Sequence, residues 1–493
     1  MQVLSRVRDL HPLKVFDEKI KKYIEYYGDD INEVHQRYKR ALRFLIPAII
    51  AVSVLAYKIH YFLVSVPLLA VITYMYPLLY VWAKAEEYKK VVNNEAPFIA
   101  LIAYIDSIVD KGLNYTLKEL SEIKELKVPR VEQMFFSKMT NYMGWAFARA
   151  LERRALVHSN DLLGKLYSNY LASLELGFTL QDRLRDTLQD LLNDLKDMFR
   201  NYTNNKAGEL TELEFAVLLL MPIVMVGFSF TFKVSLIELL APLLATPALI
   251  YLASASQPSF DYILKYKNLW LLALIPAVLA VPFLSLTARL LAATAVIVAV
   301  SYFVYDQIRL ARELENSLPV LIKELAEYLK IGYTIPNAIT KIKLGKRVNK
   351  VIERYARNPE EVNTPSKLFN LTFKLLFIIA KTGYSATALQ ELGSAIYEVV
   401  YNKNSTTKQL ALFDILTVMT PIMLWLTFAM LGQIVTAVVP AMAVIVPYSI
   451  ASALVFSKIS RFTLLYFPTM LMLFAVLVVL AFIPPNIISP FLS

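Results

Sequence analysis

The 493 residues are 57% hydrophobic, contain no cysteine, and carry 51 Lys and Arg against 40 Asp and Glu. A mean hydropathy of +0.49 lies above the soluble range and marks a membrane protein, while so much charge requires sizeable aqueous segments as well. The missing cysteine excludes disulfides, thiol catalysis and Cys-ligated metals.

Residues 1–43 are polar, with Leu13, Phe16, Ile20 and Ile24 at helical spacing. They lack the apolar region of a cleavable signal, so insertion is expected to rest on internal spans. Residues 44–82 form a first hydrophobic block, broken at Lys58-Ile59-His60, which reads as a hairpin of two spans. Residues 83–213 are polar and helical in pattern. A second hairpin, 214–254, breaks near Lys233, and a short polar link at 255–267 carries Lys265 and Lys267. The third hairpin, 268–304, breaks between Pro282 and Arg289. Residues 305–409 are again polar and helical. Residues 410–493 supply three further spans, with breaks near Gly432 and at Lys458 to Arg461, and then a short tail. The expected fold is an all-α polytopic membrane protein with about nine transmembrane helices and two cytoplasmic helical-bundle domains in a duplicated arrangement.

Positive charge sets the expected orientation. Ten Lys and Arg fall in 1–43, 18 in 83–213 and 16 in 305–409. With the N-terminus in the cytoplasm and the C-terminus external, the basic residues left outside are Lys58, Lys233 and Arg289. The expected location is therefore the cell membrane, spanned many times. Residues 83–213 hold 18 basic and 19 acidic residues, whereas 305–409 hold 16 and 10. The excess charge of the second domain suits anionic lipid headgroups or an acidic protein partner.

Two stretches and a few isolated ionisable residues are candidates for chemistry. Residues 180–200 form an amphipathic helix with Leu180, Leu184, Leu188, Leu191, Leu195 and Phe199 on one stripe. Asp182, Asp186, Asp190 and Asp194 recur every fourth residue, which reads as a solvated face or a contact for a basic surface. Residues 341–357 carry seven basic residues and one acid. Gly345-Lys346 lacks the rest of a phosphate loop, and aromatic interleaving for nucleic acid is slight. The four histidines are scattered without metal-site spacing, so no metal or other cofactor is expected. Two carboxylates fall in apolar blocks: Glu238, an intramembrane polar candidate, and Asp414, near enough to an interface to be solvated. No catalytic constellation emerges, and the chain is not expected to be an enzyme.

One pattern occurs twice. Residues 95–120 read EAPFIALIAYIDSIVDKGLNYTLKEL, and 315–340 read ENSLPVLIKELAEYLKIGYTIPNAIT. Pro97 and Pro319 fit the first turn of a helix, and Gly112 and Gly332 a left-handed helix end. A second landmark, a Gly followed by a long helix, appears at LELGFTLQDRLRDTL with Gly177 and at AKTGYSATALQELGSAI with Gly383. Pro97 and Gly112 lie 15 residues apart, against 13 for Pro319 and Gly332.

This plan resembles the membrane platform proteins of type IV filament systems, the type II secretion F-domain family, and most of all their archaeal pilus and archaellum branch. The resemblance implies a non-enzymatic platform, a homodimer beneath the filament. It would couple a cytoplasmic hexameric assembly ATPase to insertion of pilin or archaellin subunits. Charge suggests Lys343, Lys346, Arg347, Lys350 and Arg354 as ATPase-docking residues, with Arg153 and Arg154 secondary. The competing reading is a secondary transporter with duplicated halves, which would call for polar residues at midplane and smaller aqueous domains.

Overall fold

Long helices follow from long apolar or amphipathic runs with few internal glycines, and the computed structural model is built from them. It describes residues 16–28, 31–58, 65–176, 179–228, 235–258, 262–265, 269–356, 358–381, 386–435 and 440–483. Among these the regular structure is helical, and the only β contact is an isolated bridge between Tyr262 and Ser366. The chain divides into two units, Met1–Leu191 and Leu192–Ser493.

The first unit contains α1 (Asp17–Tyr27), α2 (Ile31–Lys58), α3 (Ser65–Ser107), α4 (Leu113–Ser121), α5 (Val128–Ser137), α6 (Phe147–Val157) and α7 (Leu162–Leu176). Its spine is α3, against which α1, α2, α4 and α7 pack. Tyr88, Val92, Phe98, Ile99 and Leu101 of α3 are buried. Helix α1 closes at Gly28, whose φ of 84° is left-handed and whose amide bonds the Ile24 carbonyl. A Cβ on Gly28 would lie 2.9 Å from the Val131 side chain, so glycine is needed there on two counts.

Helix α8 (Leu180–Asn201) carries the division between the units. Leu184, Leu188, Leu191, Leu195 and Phe199 are buried, and Asp182, Asp186 and Asp190 are exposed. The Asp row forms a solvated face, with Asp194 half-buried.

The second unit continues with α9 (Ala207–Glu214), α10 (Met221–Phe228), α11 (Leu236–Leu240), α12 (Thr246–Ser256) and α13 (Leu274–Leu279). There follow α14 (Leu286–Lys330), α15 (Ile335–Ile339), α16 (Lys346–Ala356), α17 (Lys367–Lys381), α18 (Ala386–Gln409), α19 (Phe413–Val435), α20 (Ala441–Arg461) and α21 (Phe467–Phe482). Here α14 is the spine, opened by Ser285, whose hydroxyl accepts from the Ala288 amide at 3.2 Å. It packs on α18 at its polar end and on α20 and α21 along its apolar part.

Five helices among the described residues are long and apolar enough to cross a membrane: Leu180–Phe228, Glu238–Ser256, Leu286–Lys330, Ala386–Met430 and Ala441–Arg461. Trp270–Leu279 and Phe467–Phe482 are apolar but shorter. The first expected hairpin lies within α2 and α3, and its break at Ile59 and His60 lies outside the described residues, as do Lys233, Lys267 and the tail 484–493. The switches between polar and apolar sequence at 43/44, 82/83, 213/214, 304/305 and 409/410 all fall inside continuous helical segments.

That continuity corrects the expectation for the two prolines. Pro97 and Pro319 sit inside α3 and α14, not in a first turn. The polar sequence before each proline already continues the helix of the apolar block upstream, so the chain accepts a ring that cannot donate to the carbonyl four residues back. Gly112 is a second correction. Its φ of −84° is extended and it precedes α4, while the left-handed residue of that turn is Asp110 at φ 57°. Gly332 is left-handed at φ 87°, with its amide on the Leu329 carbonyl and the Tyr333 amide on Tyr328. Gly177 and Gly383 lie outside the described residues.

Candidate docking surface and buried charge clusters

Helix α16 presents two unlike faces. Val348, Ile352 and Ala356, spaced four apart, are buried. Lys346, Arg347, Lys350 and Arg354 are exposed, as is Lys343 in the preceding turn. Asn349 fixes that turn by accepting from the Leu344 amide at 3.0 Å and the Gly345 amide at 3.4 Å. Beside it opens a cavity of about 620 Å³ walled by Lys343, Lys346, Arg347, Glu313, Asn316 and Val320. Arg347 reaches Asp306 at 3.1 Å, an exposed pair of little energetic weight that leaves its charge accessible. Five of the seven docking candidates thus share one solvent-facing surface.

Of the two secondary candidates on α6, Arg153 is exposed and Arg154 is not. Arg153 is exposed but bidentate on Glu25, at 2.7 and 2.9 Å. Arg154 is fully buried, so its proposed role as a surface docking residue is corrected. Its guanidinium pairs with Glu132, bonding Oε2 at 2.8 Å, and donates to the Glu25 carbonyl at 2.8 Å, which ties α1 to α5 and α6. The His158 ring lies 2.9 Å from Arg154, 3.1 Å from Glu132 and 2.7 Å from Asp161. Tyr26 donates to Asp161 at 2.6 Å and Tyr167 to Glu132 at 3.1 Å. Asp161 also accepts the Leu163 and Gly164 amides, capping α7.

Burial alone would raise the Glu132 carboxyl, but the Arg154 and His158 charges outweigh it and hold the group at about 2. Burial would lower His158, yet the Glu132 and Asp161 carboxylates raise it above its ordinary value. Burial first, and the Asp161 carboxylate second, push the Tyr26 phenol far above the range where it ionises. Every charge here has a counter-charge and every ring a fixed neighbour, which fits a structural lock.

The second unit has two ion clusters of its own. Glu315 of α14 takes Lys403 of α18 at 2.8 Å and the Ser366 hydroxyl at 2.8 Å, all of them buried. Lys403 also lies over the Tyr262 ring at 4.2 Å. Asp414 corrects a second expectation. It is buried and paired with Arg461, whose Nε donates at 2.9 Å, and it accepts from Ser460 at 2.9 Å. Glu238 is exposed and closes a capping box with Ser235: its carboxylate takes the Ser235 amide at 2.7 Å, and its own amide donates to the Ser235 hydroxyl at 3.3 Å.

Sequence reasoning overlooked Glu95, Glu132, Glu214, Glu315 and Lys403, all buried. One signal was available for two of them. Glu95 and Glu315 each stand seventeen residues before the repeat glycine, Gly112 or Gly332. Glu95 accepts the Lys127 and Val128 amides at 2.9 Å each, so both glutamates anchor the spine helix to a later segment. No group of metal-ligating residues occurs among the described residues. Compared with protein-family models, curated proteins and solved structures, the chain matches none.

Proposed function

We propose that this chain is a membrane platform protein of a type IV filament assembly machine, coupling a cytoplasmic assembly ATPase to insertion of pilin-like subunits. One observation carries the proposal beyond the sequence resemblance. Three of the five candidate spans, Leu180–Phe228, Leu286–Lys330 and Ala386–Met430, are 45–49 residues long. About 20 residues cross a bilayer, so each continues well past it as the same helix. A continuous helix transmits rotation or displacement, where a flexible linker would dissipate it.

In this reading the chain crosses the membrane about nine times, counting shorter apolar helices and the first hairpin, with the N-terminus inside and the C-terminus outside. The polar segments 83–213 and 305–409 face the cytoplasm as related modules. The exposed basic face of α16 docks the ATPase, and the carboxylates on that partner supply the complement.

The test is affinity purification of the tagged protein from native membranes, with mass spectrometry of what accompanies it. A hexameric secretion-type ATPase and pilin-like subunits are expected. Reversal of Lys346, Arg347 and Lys350 to Glu should reduce ATPase recovery at low salt; undiminished recovery would remove α16 from the interface. A protein purified without an ATPase that instead drives substrate-stimulated uptake into vesicles would establish the transporter reading.

A further inference from the structure

Glu214 is the last residue of α9, immediately before the apolar run that begins at Phe215. It is fully buried, and neither carboxylate oxygen has a hydrogen-bond partner among the described residues. Helix α9 packs against α12 and α20. The Ser452 hydroxyl of α20 stands beside the carboxyl and also lies 3.0 Å from the Thr420 hydroxyl.

The other ionisable groups on these elements do not neutralise it. Tyr202 and Tyr448 donate to the carbonyls of Ile459 and Leu239. Tyr251 is exposed, Lys206 pairs with Glu209, and Glu212 is exposed. Arg461 pairs with Asp414, and the Lys458 ammonium makes no hydrogen bond to Glu214. An ionised carboxylate left in this state carries a large desolvation penalty, in contrast to the paired Glu132, Glu315 and Asp414.

The backbone gives an independent pointer. Helix α9 is bracketed by π-helical turns, Tyr202–Lys206 before it and Phe215–Leu220 directly after Glu214. Such turns are rare, break the regular carbonyl-to-amide ladder, and concentrate at functional sites. Irregular backbone beside a buried carboxylate is how membrane helices hold monovalent cations, with carbonyl and hydroxyl oxygens completing the shell.

We propose that Glu214, with the π-turn that follows it and the Ser452 hydroxyl, forms a monovalent-cation site between α9, α12 and α20, taking a proton or a sodium ion. The site lies apart from the α16 surface and does not depend on the platform reading.

The experiment follows thermal unfolding of the full-length protein in detergent by tryptophan fluorescence, from acid to alkaline pH, in choline chloride or in sodium chloride. Wild type is compared with Glu214→Gln, which keeps the shape and needs no counter-ion. If the site takes a proton, the wild-type Tm falls with rising pH relative to Glu214→Gln by about 2 °C or more in both salts. If it takes sodium, sodium chloride abolishes that difference at alkaline pH and choline chloride does not. Profiles that stay parallel in both salts overturn the proposal. Should Glu214→Gln fail to fold, Ser452→Ala retains the carboxyl and must shift the pH or sodium midpoint; an unmoved midpoint overturns it equally.

Discussion

The two repeat stretches place a glutamate at the same distance before the turn glycine, yet neutralise it differently. In the first unit Glu95 is answered by two backbone amides at the start of α5. In the second Glu315 is answered by the Lys403 ammonium and the Ser366 hydroxyl. The large ion network of the first unit is built elsewhere, from Glu132, Arg154, His158 and Asp161 across α5 and α6 and the turn before α7. The position of the carboxylate relative to the glycine is the same in both stretches while its compensation differs. Burial demands a partner, but the partner can be a helix end or a cation.

The sharpest break of this comparison is at a glycine of the first unit. A Cβ on Gly164 would lie 2.1 Å from the His158 carbonyl oxygen, a backbone atom that no rotamer change can move. Gly164→Ala is therefore expected to cost more than about 4 kcal/mol, at the exceptional end for one substitution. Chemical denaturation in detergent should show the loss, concentrated in the transition reported by Trp145 of that unit.

Removing one partner from either cluster comes next. Glu132→Ala strands Arg154, and Lys403→Ala strands Glu315, each at about 3–5 kcal/mol. Glu95→Gln keeps an oxygen for the two amides and should cost only about 1–2 kcal/mol. Equal losses for Glu95→Gln and Lys403→Ala in equilibrium unfolding would erase the distinction drawn here.

The first unit also gains a pH signature from its cluster. Glu132 sits at about 2 when folded, against an ordinary 4.5, so its contribution is present above 4.5 and is lost as pH falls toward 2. His158 is raised above 6.5, so its contribution is complete below 6.5 and disappears as pH rises through the folded value. The unit should be most stable between about pH 4.5 and 6.5 with respect to these groups. His158→Gln should flatten the alkaline limb of the Tm profile and leave the acid limb standing.

Smaller effects separate folding from docking. Gly332→Ala forces a side chain into a left-handed position and should cost about 1 kcal/mol, seen as a modest Tm loss. Charge reversal at Lys350 or Arg354, both exposed, should stay within about 0.5 kcal/mol by the same measurement.

The amphipathic α8 was legible because its buried leucines recur at the helical period. The basic face of α16 was legible for a related reason: local charge density needs no knowledge of partners. The buried clusters were not, since Glu132 meets Arg154 across 22 residues and Glu315 meets Lys403 across 88. Asp414 looked solvated because its partner Arg461 lies 47 residues away. Glu214 escaped notice at the edge between polar and apolar sequence, where a carboxylate passes for an interfacial one. The prolines misled for the opposite reason, that a rule for helix starts was applied where the helix had begun thirty residues earlier.

A helix that passes unbroken from apolar to polar sequence also ties the two by angle. Each residue of α14 turns the chain by about 100°, so one residue inserted or deleted near 304/305 would swing everything beyond it by that amount. The stripe facing α18, including Glu315, would then point away from Lys403. Changes of three or four residues come near to a full turn and of seven to two turns, which makes them the tolerable steps. The length of this junction is therefore set in whole turns of the helix, a constraint on phase that a loop at the same place would not impose.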